Sequence, residues 1–408
     1  MTSLLAAACA AAAIAAEAPP LPIEAAVAQA LAHAPQRRAV AERSEAARGA
    51  LAQAGRLPNP LLELRGEGID GSDPWGRDGA LDFFALLSVP IELGGKRAAR
   101  QAVAAAELDG ARAQMASTER ELTLQTARTY LLALRGRELA EVLQENRTGL
   151  GSLVDAMRLR VARGYAPEAD LMRFLAEVEQ LDVRITQARI ELDRASAALA
   201  ALVGMTGRVA ADVLVEPPLP EPPSGDVDDL VARALAQHPQ IAAAEARRTA
   251  ARHALELEKA RRIPDPLLTG GYERTSGLDT GVAGIVVPLP VFDTNRGNVE
   301  RAAAEERAAT ADLDALRLQL AAELRSLVLG ARDLVQRARG VEQRLVGPAM
   351  TVRQAARSAF REGGANILQL VDAERLYTEA RKQALDLRLE AIVRSYEAQV
   401  AVAGRLES

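Results

Sequence analysis

The sequence predicts a mainly α protein with a small β part, laid out as two tandem repeats, each a β-hairpin plus long antiparallel helices. Three observations predict it. The 408 residues are rich in Ala, Leu, Arg and Glu with only 3% aromatics, a bias toward long helices rather than a mixed core. A proline grammar occurs twice, as Pro58-Asn59-Pro60 with Val89-Pro90 and as Pro264-Asp265-Pro266 with Val287-Pro288, each pair bracketing two apolar segments. Between Gly95 and Arg163 stand about 65–70 residues without proline, enough for a helix about 100 Å long at 1.5 Å per residue.

Residues 1–18 open the chain with an alanine-rich apolar run, and Ala16 and Ala18 supply small residues for cleavage, the pattern of a secretory signal without its usual positive start. Cys9 follows Ala6-Ala7-Ala8, which lacks the large apolar residue that lipid-attachment sites favour. Beyond this run no apolar stretch reaches the roughly 18–20 residues of a spanning helix, so any membrane crossing must be made by strands.

The first repeat is placed at 19–215, with strands at about 61–69 and 80–89 and a helical tip near 164. A proline-rich linker, Glu216-Pro217-Pro218-Leu219-Pro220-Glu221-Pro222-Pro223, opens the segment 216–226. The second repeat is placed at 227–408, with strands at about 267–275 and 280–289 and a tip near 363. Both repeats start alike, at Ile23 to Leu31 before His33-Ala34-Pro35 and at Val227 to Leu235 before Gln237-His238-Pro239.

The return helix of the first repeat carries Leu171, Val178, Ile185, Leu192 and Leu199 at seven-residue spacing, a coiled-coil-like seam. In the second repeat Leu313, Leu320, Leu327, Leu334 and Val341 do the same, and a parallel seam, Leu324, Ala331, Ala338 and Leu345, lies beside them. Two seams suit a helix with neighbours on both flanks, as in a closed ring. Pro348 should kink the second long segment. Arg163-Gly164-Tyr165-Ala166-Pro167 and Glu362-Gly363-Gly364-Ala365-Asn366 read as the turns, since Gly tolerates the left-handed conformation that closes a helix and Pro suits the first turn of the next.

In the first strand Leu62 and Leu64 share one face, and Glu63, Arg65 and Glu67 the other. Four strands cannot close a barrel, for which about eight are needed, and identical subunits are the simplest source of the rest. Solvent-exposed hairpins on a soluble coiled-coil protein remain open at this point.

A formal charge of −5 with interspersed Arg and Glu offers no basic stripe for a phosphate backbone and argues against nucleic-acid binding. One cysteine and three scattered histidines, His33, His238 and His253, make neither a disulfide framework nor a zinc cluster. Gly94-Gly95-Lys96 lacks the spacing of a phosphate loop and reads as a helix start. No catalytic constellation, cofactor or resident metal site is expected, so the chain is read as no enzyme.

Taken in order, these motifs resemble the TolC family of outer-membrane efflux ducts over nearly the whole mature chain. Pro58-Asn59-Pro60, Pro90-Ile91-Glu92-Leu93-Gly94-Gly95-Lys96-Arg97 and Pro288-Leu289-Pro290-Val291-Phe292-Asp293-Thr294-Asn295-Arg296-Gly297-Asn298 are similar to its cobalt-zinc-cadmium resistance branch. The resemblance implies a homotrimer: a twelve-stranded β-barrel in outer-membrane lipid, continuous with a periplasmic α-helical barrel. It implies two partners, a periplasmic adaptor (membrane fusion protein) and an inner-membrane resistance-nodulation-division (RND) pump. By the same resemblance Asp170 and Asp372 line a periplasmic gate, Phe360 stands where relatives have a gating tyrosine, and Gln369 replaces a second acidic position. Arg163, Gly164, Tyr165, Glu362, Gly363 and Gly364 match the tips where adaptors dock. The expected function is a passive exit duct for divalent heavy-metal cations. The alternatives are a multidrug or other small-molecule duct of the same fold, and a non-pore periplasmic coiled-coil scaffold or adaptor.

Overall fold

The computed structural model describes residues 19–67, 82–276 and 278–404. The expected signal at 1–18 with Cys9, strand positions 68–69 and 80–81, and the loop between the first two strands lie outside the described residues. In chain order the elements are α1 (Ile23–His33), α2 (Pro35–Ala54), β1 (Leu61–Glu67), β2 (Asp82–Pro90), α3 (Lys96–Gly151), α4 (Val154–Ala162) and α5 (Glu168–Leu202). After the linker come α6 (Val227–Ala236), α7 (Pro239–Ala260), β3 (Leu267–Thr275), β4 (Leu278–Val286), α8 (Arg296–Ala338), α9 (Gly347–Glu362) and α10 (Ile367–Ala403).

Two compact units divide the chain, and they are not the two sequence repeats. One comprises Met1–Arg37, Thr118–Ala234 and Ala321–Ser408; the other comprises Arg38–Ser117 and Leu235–Leu320. Each unit therefore draws matching segments from both repeats.

In the second of these units all four strands form one antiparallel sheet in the order β1-β2-β3-β4, so the hairpins of the two repeats join through β2 and β3. The register aligns Leu62, Leu87, Gly270 and Ala283 in one row and Leu64, Ala85, Tyr272 and Gly281 in another. Because side chains alternate along a strand, these rows share one face with Phe83, Leu268 and Ile285. The intervening rows put Glu63, Arg65, Glu67, Asp82, Ser88, Thr269, Glu273 and Thr280 on the other. One face is thus mainly apolar, with Leu62, Leu64 and Ile285 more than 60% exposed and Arg274 and Asp279 at one end, and the opposite face is mixed, carrying the acids together with Leu61, Phe84, Leu86, Val282 and Val286.

β4 was expected at 280–289 but spans 278–286. Ser276 takes a left-handed φ of 52°, which makes the hairpin turn tight enough for pairing to resume at Leu278. At the other end Pro288 has no N–H for a ladder, and pairing stops at Val286. β2 extends one residue past expectation, to Pro90, whose neighbour Ile91 donates its N–H to Pro266 O (2.9 Å).

The repeated proline motifs meet below the sheet. The Asp265 carboxylate accepts from Leu93 N (2.8 Å) and pairs with Lys96 Nζ (2.7 Å), which also donates to Ile263 O (2.5 Å). Gly94 is required twice over: its φ is +70°, and a Cβ would lie 2.7 Å from Ile263 Cδ1. Gly94-Gly95-Lys96 is a helix start, and its lysine is a buried clasp between the two hairpins.

The long first helix is interrupted where an unbroken one was expected. α3 ends at Gly151 and α4 begins at Val154, with Leu153 N bonded to Leu150 O (2.9 Å) in a tightened turn. In the second repeat the disturbance lies ahead of Pro348: a five-residue π-helical stretch, Glu342–Val346, absorbs the distortion, and Pro348 sits in the first turn of α9. Along α5 the expected seam holds two buried members, Ile185 and Leu199, with Leu171, Val178 and Leu192 half-buried, and a second buried stripe, Phe174, Leu181 and Ala188, runs beside it. Both expected seams of α8 hold buried members, Leu313 and Leu320 in one and Leu324 and Ala331 in the other.

Tyr130 anchors the chain entry and the linker to α3. Its side chain is fully buried, its hydroxyl is shared between Leu21 O (2.8 Å) and Val215 O (2.7 Å), and it accepts from Val215 N (2.6 Å). Nearby, burial pushes the Tyr396 phenol up to about 12, so it stays protonated at any pH near neutrality. The linker lies along helix surfaces, with Arg332 donating to Pro223 O (2.8 Å) and Gln399 to Glu221 O (3.1 Å).

Candidate functional site

The two helical turns are built by local rules. Gly164 (φ 75°) and Gly363 (φ 83°) are left-handed, and the carbonyls they free are taken by Tyr165 N to Arg160 O (2.8 Å) and Gly364 N to Ala359 O (2.8 Å). α10 then starts in a capping box: Asn366 Oδ1 accepts from Gln369 N (3.0 Å), and Gln369 Oε1 accepts from Asn366 N (3.1 Å). Gln369 therefore spends its side-chain oxygen on the helix start. α5 starts at Pro167 without a side-chain cap.

The candidate tip residues Arg163, Gly164, Tyr165, Glu362, Gly363 and Gly364 are all exposed, Tyr165 by 80%. Arg163 and Tyr165 line a groove of about 380 Å³ together with Leu159, Arg160 and Phe360. Phe360 itself is buried at 3%, packed with Phe174, Ile367 and Leu370. The Arg160 guanidinium lies 4.5 Å from its ring and donates to its backbone carbonyl (2.6 Å), at the C-terminus of α9 where a cation is favourable. This position thus ties the first hairpin to the second by its ring and carbonyl, with no hydroxyl needed.

Asp170 stands half-buried in the first turn of α5, and Asp372 stands exposed in the second turn of α10. Neither forms a salt bridge among the described residues. Asp372 acts on Arg375, whose guanidinium pKa is raised chiefly by its hydrogen bonds to Glu177. That bidentate contact (3.1 Å to each oxygen) joins α5 and α10.

A larger polar cluster was missed by sequence reasoning. Glu374, 1% exposed, accepts from Arg353 Nε (3.1 Å) and pairs with Arg357; Arg353 also reaches Glu145 (3.2 Å) and stacks 4.1 Å from the Tyr377 ring. Beside it Asn146 Nδ2 donates to Thr378 Oγ1 (2.5 Å). The signal was present: Leu370, Glu374 and Tyr377 share the buried stripe of α10, and Ala349, Arg353 and Phe360 that of α9, so a charge sits on each apolar face.

Among the described residues, no group of three or more His, Cys, Asp or Glu side chains is placed to hold a metal ion, and no helix is long and apolar enough to cross a membrane. On the acid-bearing face of the sheet Arg65 pairs with Glu67 (3.1 Å) and lies over the Phe84 ring (4.6 Å). Carboxylates outnumber guanidinium groups there.

Known proteins fit this geometry. The family described as outer membrane efflux protein matches residues 26–205 and 230–401, one stretch in each repeat. The chain is 27% identical over 367 residues to the cobalt-zinc-cadmium resistance protein CzcC of Cupriavidus metallidurans, covering 89% of this chain and 85% of that one. It is 30% identical over 315 residues to the nickel and cobalt resistance protein CnrC of the same organism, covering 75% and 72%. Its fold superposes on the outer-membrane channel OprN with a TM-score of 0.79 at 20% identity, covering 94% of this chain and 89% of that one. This chain belongs to the outer membrane efflux protein family, as a channel of the outer membrane with its helical part in the periplasm.

Proposed function

We propose that the protein is the passive exit duct of a tripartite RND efflux system and that its cargo is divalent heavy-metal cations. The observation that carries the duct is the sheet: four strands, one mainly apolar face, one acid-bearing face, and an open edge on each of β1 and β4. Three copies joined edge to edge would supply twelve strands, enough to close a barrel with the acid-bearing face inward. Energy would come from an inner-membrane pump, reached through a periplasmic adaptor that docks on the tips containing Gly164 and Gly363. The cation cargo is supported by the metal-resistance relatives and by the carboxylate excess on the acid-bearing face. It needs no metal-selecting site, because a conduit only has to pass what the pump delivers.

The test is a deletion strain challenged with cobalt, zinc, cadmium and nickel salts and with organic drugs. Lost metal tolerance, restored by the gene, is the expected result. Unchanged metal tolerance with lost drug resistance would assign the duct to organic cargo instead. Asp170 and Asp372 are proposed as gate-lining residues, since both follow the turns closely and neither carboxylate is tied up in a salt bridge. The double variant Asp170→Ala/Asp372→Ala should raise conductance or weaken cation preference in planar bilayers; no change in either would remove the gate assignment.

A further inference from the structure

Two arginines of α9 are aimed by one buried acid. Arg353 and Arg357 stand one turn apart, and each gives its Nε to Glu374 of α10, which is 1% exposed. A guanidinium is a rigid planar fork, so fixing each at Nε leaves its Nη ends for other acceptors. Both arginines line a cavity of about 700 Å³ between α3, α5 and α9.

Donors exceed acceptors in that cavity. Arg353 Nη1 and Nη2 reach only Glu145 Oε1 (3.2 and 3.3 Å), whose side chain is 60% exposed. Arg357 Nη2 is buried and has no acceptor. Gly149 makes room for it, since a Cβ at this mid-helix position would overlap that nitrogen. From α5, Arg189 borders the same cavity with no ion pair among the described residues, donating only to Gln144 Oε1 (3.3 Å). Gln144, Glu145 and Gly149 lie within about 8 Å along α3, so the three guanidinium groups converge on one patch. Elsewhere in the cavity Arg137 and Glu141 offset each other (3.9 Å).

Glu374 answers one of these three charges. Glu145, being exposed, is free to turn to water, and two positive charges then face the cavity. That balance and the forked donors fit a doubly charged oxyanion, whose oxygens accept in pairs from guanidinium groups. We propose that Arg189, Arg353 and Arg357 bind a tetrahedral oxyanion of the phosphate or sulfate class, one per protomer, displacing Glu145. Bound there, the oxyanion joins α9 to α3 and α5 and clamps the second helical hairpin against the first. Such a site is independent of the cargo that the duct carries.

The test titrates inorganic phosphate into the full-chain channel in detergent, by calorimetry at constant ionic strength and slightly above neutral pH, with sulfate and acetate in parallel. Saturable binding of phosphate and sulfate, one per protomer, with acetate at least about tenfold weaker, is the expected result. Arg189→Gln, at an exposed position, should weaken phosphate binding at least about tenfold, and Glu145→Gln, which removes the competing carboxylate, should tighten it. Gly149→Ala should weaken it without removing a charge, because it pushes Arg357 off α3. Arg158→Gln, in the exposed pair with Asp155, should leave it unchanged. Phosphate should also raise the thermal midpoint of the native channel and not that of Arg189→Gln. No saturable binding, or binding that Arg189→Gln and Gly149→Ala leave intact, would overturn the site. Acetate binding as tightly as phosphate would overturn the assignment to a doubly charged oxyanion.

Discussion

Glu374→Ala is expected to destabilise the helical part by about 3–5 kcal/mol, because it takes from Arg353 and Arg357 their shared buried counter-charge and leaves Arg353 only the exposed Glu145. Arg353 is only 7% exposed and Glu374 1% exposed, so water cannot replace the carboxylate. The midpoint of thermal unfolding, followed by circular dichroism in detergent, should fall by roughly 5–15 °C. An exposed control separates burial from pairing as such: Asp155 pairs with Arg158 at 3.1 Å, but their side chains are 91% and 60% exposed. Asp155→Ala should therefore change stability by less than about 1 kcal/mol. The triple replacement Glu374→Leu, Arg353→Met and Arg357→Met should recover most of the loss, since it removes all three charges of the cluster, and Glu145, 60% exposed, is left to water. A Glu374→Ala protein as stable as the Asp155→Ala control would mean that the cluster is open to solvent in the assembled channel.

Replacing Glu63, Glu67 and Glu273 by glutamine is expected to reduce the preference for cations over anions at least about threefold, read as a shift of reversal potential in a salt gradient. Among the described residues the register puts these three carboxylates and Asp82 on one face with a single guanidinium, Arg65. Arg65 pairs with Glu67 and lies over Phe84, so its charge is offset first against the acid beside it. Arg65→Ala should shift the reversal potential the opposite way. The measurement belongs near 0.1 M salt, where screening reaches about 10 Å; at 1 M, with about 3 Å, the difference should largely vanish. An unchanged reversal potential at low salt, in a channel of normal conductance, would mean that this face does not line the pore.

Much of the fold could be read in the chain because its signals are local. Proline fixes φ and removes a donor, so the paired motifs at Pro58 and Pro264 marked both strand starts. Alternation of Leu62 and Leu64 with Glu63, Arg65 and Glu67 showed which side of the first strand carries the charges, and the register extends that face across all four strands. Gly164 and Gly363 marked the turns because a left-handed residue is needed there. Signals spread over a distance were weaker: the break between Gly151 and Val154 has no proline, and the π-helical stretch precedes Pro348 rather than surrounding it.

By itself the sequence determined the duplicated plan, the hairpins, the two turns and the alternation of the first strand, since each follows from the stereochemistry of a few consecutive residues. Only the tertiary structure decided that β2 pairs with β3, that Lys96 clasps Asp265 across 169 positions of chain, and that Arg353 shares Glu374 with Arg357. These depend on which segments fold against each other. A charged residue in an apolar stripe costs several kcal/mol unless a partner from elsewhere meets it, and that partner is named by packing rather than by spacing.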